Sequence, residues 1–203
     1  MSTATASPRR PGRPAQFDRD RALSALLLLL WSKGYDAATQ EEMLAATGLS
    51  SSTLYRSFGT KADILEAALT RYLTLADEML APLERGRDGV ADVLVFFDNL
   101  QALLGGPLST AGCLVWNTMQ NPINGNSRIK ALTERYVRRL RDGLAGALRR
   151  AADAGEPLPS APESLADALR AGVVGVQARG RAGDIDDAIA MLDGLRALLS
   201  RRT

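Results

Sequence analysis

Apolar side chains recur every three or four positions along most of the chain, and the interruptions of that rhythm divide it into helices. From about Asp18 to Lys33 the leucines fall on nearly all sides, with Leu26 to Leu30 unbroken, which predicts a helix buried as the spine of a small domain. Thr39 followed by Glu42 is a capping box, so a second helix starts there, carries Met43, Leu44 and Thr47 on one stripe, and closes at Gly48. Ser50 is a good N-cap for a third helix, whose Leu54 and Phe58 share one face. Thr60 and Asp63 cap a fourth, with Ile64, Leu65, Ala68, Leu69, Tyr72 and Leu75 along it, predicted to end near Leu80 before Pro82. Further helices are predicted at about Asp88 to Leu104, Thr110 to Gln120, Ser127 to Asp153, Pro162 to Arg179 and Asp184 to Arg201. Gly and Pro clusters mark the breaks between them.

Strands would need alternating β-branched residues, and the chain has few such runs, so the fold class is all-α. Its 203 residues suffice for a sizeable core and one or two domains. The longest apolar run, Leu26 to Trp31, is far short of a membrane span, and no apolar stretch follows Arg9, Arg10 and Arg13 to make a signal peptide. A lone Cys113 leaves no intrachain disulfide and fits a reducing compartment, so a cytoplasmic protein with no membrane partner is expected. The chain has no His, no phosphate-binding Gly-rich loop ending in Lys-Ser/Thr and no nucleophile elbow. An enzyme is therefore not expected, nor a cofactor or metal site.

The second and third helices, joined by a turn of a few residues, have helix-turn-helix spacing. At the exposed start of the third stand Ser51, Ser52, Thr53 and Arg56, short hydroxyls and one guanidinium that let a backbone approach the base edges of a major groove. The net charge is only +2, but residues 1–21 carry five arginines against two aspartates. Such an arm can follow phosphates, and Pro11-Gly12-Arg13-Pro14 suits a narrow A·T-rich minor groove, with Arg13 at its centre.

Leu30-x-x-x-Gly34-Tyr35, Thr39, Ala45-x-x-Gly48-Leu49-Ser50, Thr53-Leu54-Tyr55-x-x-Phe58 and Lys61-x-x-Ile64-Leu65 together resemble the DNA-binding domain of the TetR family of bacterial repressors, over about residues 17 to 70. The resemblance implies a flexible arm at 1–16, a DNA-binding domain at 17–63, and a ligand-binding and dimerisation domain at 64–203. It implies a homodimer on a palindromic duplex operator, with Ser51, Ser52, Thr53 and Arg56 nearest the bases and Thr39, Tyr55 and Lys61 on phosphates. A repressor released by a small-molecule effector follows from the same likeness.

The last two helices carry small residues, Ala171, Gly172 and Gly175 among them, and an apolar stripe including Ile189, Leu192 and Leu195. Two copies of that pair would make a two-fold four-helix interface, as TetR-like proteins generally do, although the same stripes also suit packing within one chain. The middle helices would hold the effector. Phe96, Phe97, Leu100, Cys113, Trp116 and Tyr136 supply an apolar and aromatic lining, and Asn117 and Gln120 scattered amides, an inventory favouring an apolar or aromatic ligand. The segment around Cys113 also resembles a Gly-Cys-Leu-x-x-Asn segment found in part of the family, some of whose members respond to electrophiles or oxidants. A repressor sensing through the Cys113 thiol is thus an alternative, as is a helical protein-interaction module. A free Cys is commonly a buried small hydrophobe, and no basic residue lies within ten positions of this one.

Overall fold

The structure of the protein, a computed structural model, describes residues 18–200, so Arg13 and the rest of the arm lie outside the described residues. Within them are nine α-helices and no strand: α1 (Arg19–Lys33), α2 (Gln40–Thr47), α3 (Ser51–Phe58), α4 (Lys61–Arg85), α5 (Val90–Leu104), α6 (Leu114–Met119), α7 (Ser127–Asp153), α8 (Pro162–Arg181) and α9 (Ile185–Ser200), with a 3-10 turn at Pro122–Gly125. The first three pack as a small head, α1 against α2 and α4 and α3 against the start of α4. The body is built outward from α4 and α7, the two longest helices, with α8 on α7, α9 on α8, and α5 closing the layer against α4, α7 and α9. One apolar core runs through head and body, from Ala22 and Leu26 through Leu69, Leu80 and Phe97 to Leu144, Val176 and Leu192.

Helix starts in the head follow the caps in the sequence. The Asp18 carboxylate accepts from the Asp20 and Arg21 amides, Thr39 and Glu42 form the reciprocal capping box, Ser50 accepts from Thr53, and Thr60 and Asp63 form a second box. Gly48 takes the left-handed conformation (φ 67°) that ends α2.

Three features depart from the sequence pattern. Leu28 is half exposed, because α1 contacts α2 and α4 along one arc only and leaves the opposite side to solvent. α4 runs through Pro82 to Arg85 instead of stopping before it. The missing Pro82 amide costs one backbone bond, but Leu80 and Leu83 are buried on either side, Arg150 donates to the Leu83 carbonyl at 3.0 Å, and the Gly86 amide closes on Pro82 O. The stretch from Thr110 is a turn, and α6 begins only at Leu114, because Gly112 adopts φ +62° where a Cβ would press on the Arg181 side chain and the Gln177 carbonyl.

Arginines of α7 tie it to its neighbours. Arg139 grips Glu84 through two nitrogens and Asp77 through a third contact at 2.7 Å, and Arg141 pairs with Asp167 on α8. At the lower end of the body Arg150 meets the buried carboxylate of Asp92 at 3.1 Å.

Candidate nucleic-acid interface and effector cavity

Across the head, Leu54 and Phe58 point into the core while Ser52 and Arg56 face solvent, as a face prepared for a partner requires. Arg56 makes no hydrogen bond or ion pair among the described residues, and Ser52 touches only the Ser50 hydroxyl, at 3.2 Å. Ser51 and Tyr55 are held from α2: the Gln40 amide donates to Ser51 Oγ at 3.0 Å, and the Tyr55 hydroxyl donates to Gln40 Oε1 at 3.2 Å. Gln40 is a site residue that the sequence reading missed, since nothing local marks a side chain reaching 11 and 15 positions on. Thr53 is engaged in the Ser50 cap, and Thr39, exposed, in that of α2. Lys61 sits over the Tyr35 ring, 4.7 Å from its centroid, with Nζ 3.5 Å from the Asp36 carbonyl. Arg19 is not part of an arm but lies in the first turn of α1 over the Phe58 ring.

Head and body are fastened at several points. Trp31 Nε1 donates to the Gly112 carbonyl at 2.8 Å. From the end of α8, Arg181 donates to Ala111 O at 2.9 Å and to Trp31 O and Ser32 O at 3.4 Å each, placing a cation at the carbonyl-rich end of α1. Asn121 donates to Asp36 at 2.5 Å, and Arg128 at the start of α7 grips Asp63 and Glu66 on α4. The Thr60 hydroxyl and then Arg128 hold the Asp63 carboxyl down to about 2, below its ordinary 3.8.

Inside the body a cavity of about 130 Å³ lies among α1, α4, α5, α7 and α8. Of the residues expected to meet a ligand, Phe96, Leu100 and Tyr136 line it. Phe97 is fully buried in the core outside the lining. Trp116 packs edge-on against Tyr136, ring centroids 6.2 Å apart, and its buried indole N–H has no partner among the described residues. Asn117 and Gln120 face a different space, an open cleft of about 480 Å³ between the loop after α1 and α6, whose rim also includes Arg181. The rest of the lining comes from Trp31 of the head, Tyr72, Leu75, Ala76 and Met79 of α4, Leu103 of α5, and Val173 and Gln177 of α8. Trp31 and Tyr72 stack edge to face at 5.0 Å, and Tyr72 and Tyr136 lie 6.3 Å apart.

Cys113 sits behind these rings. It is buried, and Tyr72 donates its hydroxyl to Sγ at 3.3 Å. Burial pushes the thiol above its ordinary value, outweighing the Tyr72 hydroxyl, the amides at the start of α6 and the Tyr136 hydroxyl, all of which favour thiolate.

On α8 and α9, Gly172 and Gly175 make room for Leu195 and Met191 of the same chain, since a Cβ would come within 2.4 and 2.7 Å of them. Leu192 is fully buried and Leu195 nearly so, so these stripes first fasten α9 to α8. Ala171 is exposed and Ile189 half-buried; Ala168, Ala178, Ala190, Gly194 and Ala197 share the exposure of Ala171.

A helix-turn-helix head fused to an all-α body defines a class of DNA-associated regulators. Residues 22–68 match the family described as bacterial regulatory proteins, tetR family. The chain is 42% identical over 62 residues to the HTH-type transcriptional repressor ComR of Escherichia coli (strain K12), which is 30% of each chain. It is 34% identical over 87 residues to the HTH-type transcriptional repressor BdcR of the same organism, 43% of this chain and 44% of BdcR. These matches thus span less than half of either relative. Among solved structures, a TetR family transcriptional regulator from Agrobacterium tumefaciens superposes with a TM-score of 0.78 at 20% identity, covering 91% of this chain and 96% of its own. A cysteine mutant of the TetR family regulator CifR, complexed with 26-bp double-strand operator DNA, superposes at 0.77 and 20% identity, covering 94% of this chain and all of its own. Residues 22–68 thus carry the tetR-family segment, and the chain as a whole shares the fold of TetR-family structures.

Proposed function

We propose that the chain is a homodimeric transcriptional repressor that binds duplex operator DNA through its head and is released by a small apolar or aromatic effector held in its body. The observation that carries this reading is the outer face of α3, where Arg56 and Ser52 stand free of strong partners beside Ser51 and Tyr55, which Gln40 holds in place. In the division proposed here the arm spans 1–16, the reading head 17–63 and the body 64–203. α3 enters the major groove with Ser51, Ser52, Thr53 and Arg56 towards base edges, while Thr39, Tyr55 and Lys61 hold phosphates and Arg13 reaches the minor groove. The dimer pairs the outer small-residue face of α8 and α9, Ala171 with Ala190 and Ala197, where backbones can approach closely. The complex of the similarly folded CifR with operator DNA supports the DNA reading.

Effector binding acts through differential affinity for two arrangements of the heads. The cavity is suited to this because one of its walls, Trp31, belongs to the head and is fastened to the Gly112 carbonyl of the body. The effector in this reading binds without covalent chemistry at Cys113, whose thiol is buried and held in its neutral form.

The test is selection of bound duplexes from random DNA, followed by binding of two variants to the recovered operator. Arg56→Ala should cost about 1–3 kcal/mol on the operator and relax the preference, as loss of a bidentate base contact does. Lys61→Ala should weaken all duplexes alike and reduce the salt slope by about one. Failure to enrich any sequence, or equal losses on every duplex for Arg56→Ala, would overturn the assignment.

A further inference from the structure

The cavity in the body has a wall chemistry that narrows its ligand further than size and hydrophobicity alone. Among the described residues no charged side chain lines it, so an ion entering would lose its hydration without a counter-charge. The polar tips of its aromatic residues are already engaged elsewhere. Trp31 Nε1 is used by the Gly112 carbonyl, the Tyr72 hydroxyl donates to Cys113 Sγ, and the Tyr136 hydroxyl faces the same sulfur. These residues therefore offer the cavity ring faces and edges. Gln177, half-buried on α8, is the exception: it lines the cavity, and its side-chain amide makes no hydrogen bond among the described residues.

Volume sets the size. A cavity of roughly 150 Å³ with apolar walls holds one benzene ring, and this one measures about 130 Å³. Leu75 and Leu103, both exposed, stand at its edge and give an apolar way in.

Resting on the reading of this cavity as the effector site, we propose that its ligand is a neutral, single-ring molecule bearing one hydrogen-bonding group, and that Gln177 reads that group. Ring stacking against Trp31 and Tyr136 supplies most of the affinity, and the Gln177 amide, able to donate or accept, selects among rings. A hydroxyl, carbonyl or amide satisfies it; a bare hydrocarbon leaves it unpaired.

The wild type, Gln177→Met and Gln177→Leu are titrated with toluene, benzyl alcohol, benzoate and naphthalene, read by thermal melting and tryptophan fluorescence without DNA. Methionine nearly matches glutamine in volume, so at least one variant should melt as the wild type does. The wild type should bind benzyl alcohol about fivefold more tightly than toluene, the ratio one net hydrogen bond provides. Both variants should lose that preference while retaining toluene, and benzoate and naphthalene should bind at least about tenfold more weakly than benzyl alcohol. A preference for benzyl alcohol that survives in a folded variant would remove Gln177 from the role. Benzoate or naphthalene binding as tightly as benzyl alcohol, or no response to any probe, would overturn the ligand class. Because no DNA is present, a chain that binds these probes yet selects no operator would instead sink the repressor reading alone.

Discussion

Head and body hold their helices in different ways. All four helices that begin in the head, α1 to α4, start on a side-chain cap, from Asp18, Thr39, Ser50 and Thr60. In the body α7 also starts on a cap, from Asn126, but α5, α6 and α8 start at Gly89, Cys113 and Ala161 with no side-chain cap. Two of the head's helices are only eight residues long, too short to persist on propensity, and each buries just one or two side chains, so their ends must be fixed locally. The body's helices are held instead by what they bury and by ion pairs between distant segments. The head is thereby fixed by contacts spanning three residues, while most of the body is left to packing.

Damage to the body should have the largest effect. Phe97→Ala removes a fully buried ring and should cost about 3–5 kcal/mol in urea unfolding, with the whole chain losing stability because one core serves head and body. A loss under 1 kcal/mol would show that the body relaxes around the gap.

The next effect belongs to the buried pair at the end of α7. Asp92→Ala leaves Arg150 facing the start of α5 and the Leu83 carbonyl without its carboxylate, and should cost about 2–4 kcal/mol, below the fully buried range because Arg150 remains 31% exposed. Replacing both, Asp92→Leu with Arg150→Met, should recover most of that loss. A double variant as unstable as the single one would show that the pair's own geometry, not an abandoned charge, holds this corner.

Thr39→Ala should cost about 1 kcal/mol, the value of one N-cap. The loss should appear first as faster amide exchange in α2, with exchange in α8 unchanged. Equal acceleration in α8 would remove the contrast between a locally capped head and a packed body.

The smallest effect is at the seam. Asp63 keeps its carboxyl at about 2 when folded, below its usual 3.8, so its contribution to stability is present above about pH 4 and fades as the pH falls towards 2. Arg128→Ala should lower the melting temperature slightly at neutral pH, and the gap to wild type should close through that acid window. A gap of constant size down to pH 2 would mean that Arg128 acts by packing alone.

The same contrast explains what was legible in the sequence. Thr39 with Glu42, Gly48, Ser50, and Thr60 with Asp63 each act within three or four residues, and all four readings hold in the fold. Cavity residues carry no such mark. Trp31 and Gln177 are brought together only by the packing of α1 and α8 on the same core, and Asn117 and Gln120, which share a short segment with Trp116, turn to the outer cleft instead. Pro82 misled for the same reason, since the local loss of one amide bond was outweighed by Leu80, Leu83 and Arg150. The stripes of α8 and α9 were legible as apolar and small, but which chain they face depends on a neighbour the sequence does not number.

Arg181 takes hold of the head entirely through main-chain carbonyls, those of Trp31 and Ser32, with that of Ala111 beside them. A grip of that kind asks nothing of the side chains at the end of α1, only that a helix end there. Substitutions along the outer face of the head can therefore accumulate without loosening its mounting, and a head of different specificity ending its first helix at the same place would seat on the same guanidinium. The constraint falls instead on Gly112, at φ +62°, where a Cβ would come within 3.1 Å of the Arg181 side chain and strain the backbone. Exchange of recognition specificity is thus cheap on one side of this joint and costly on the other.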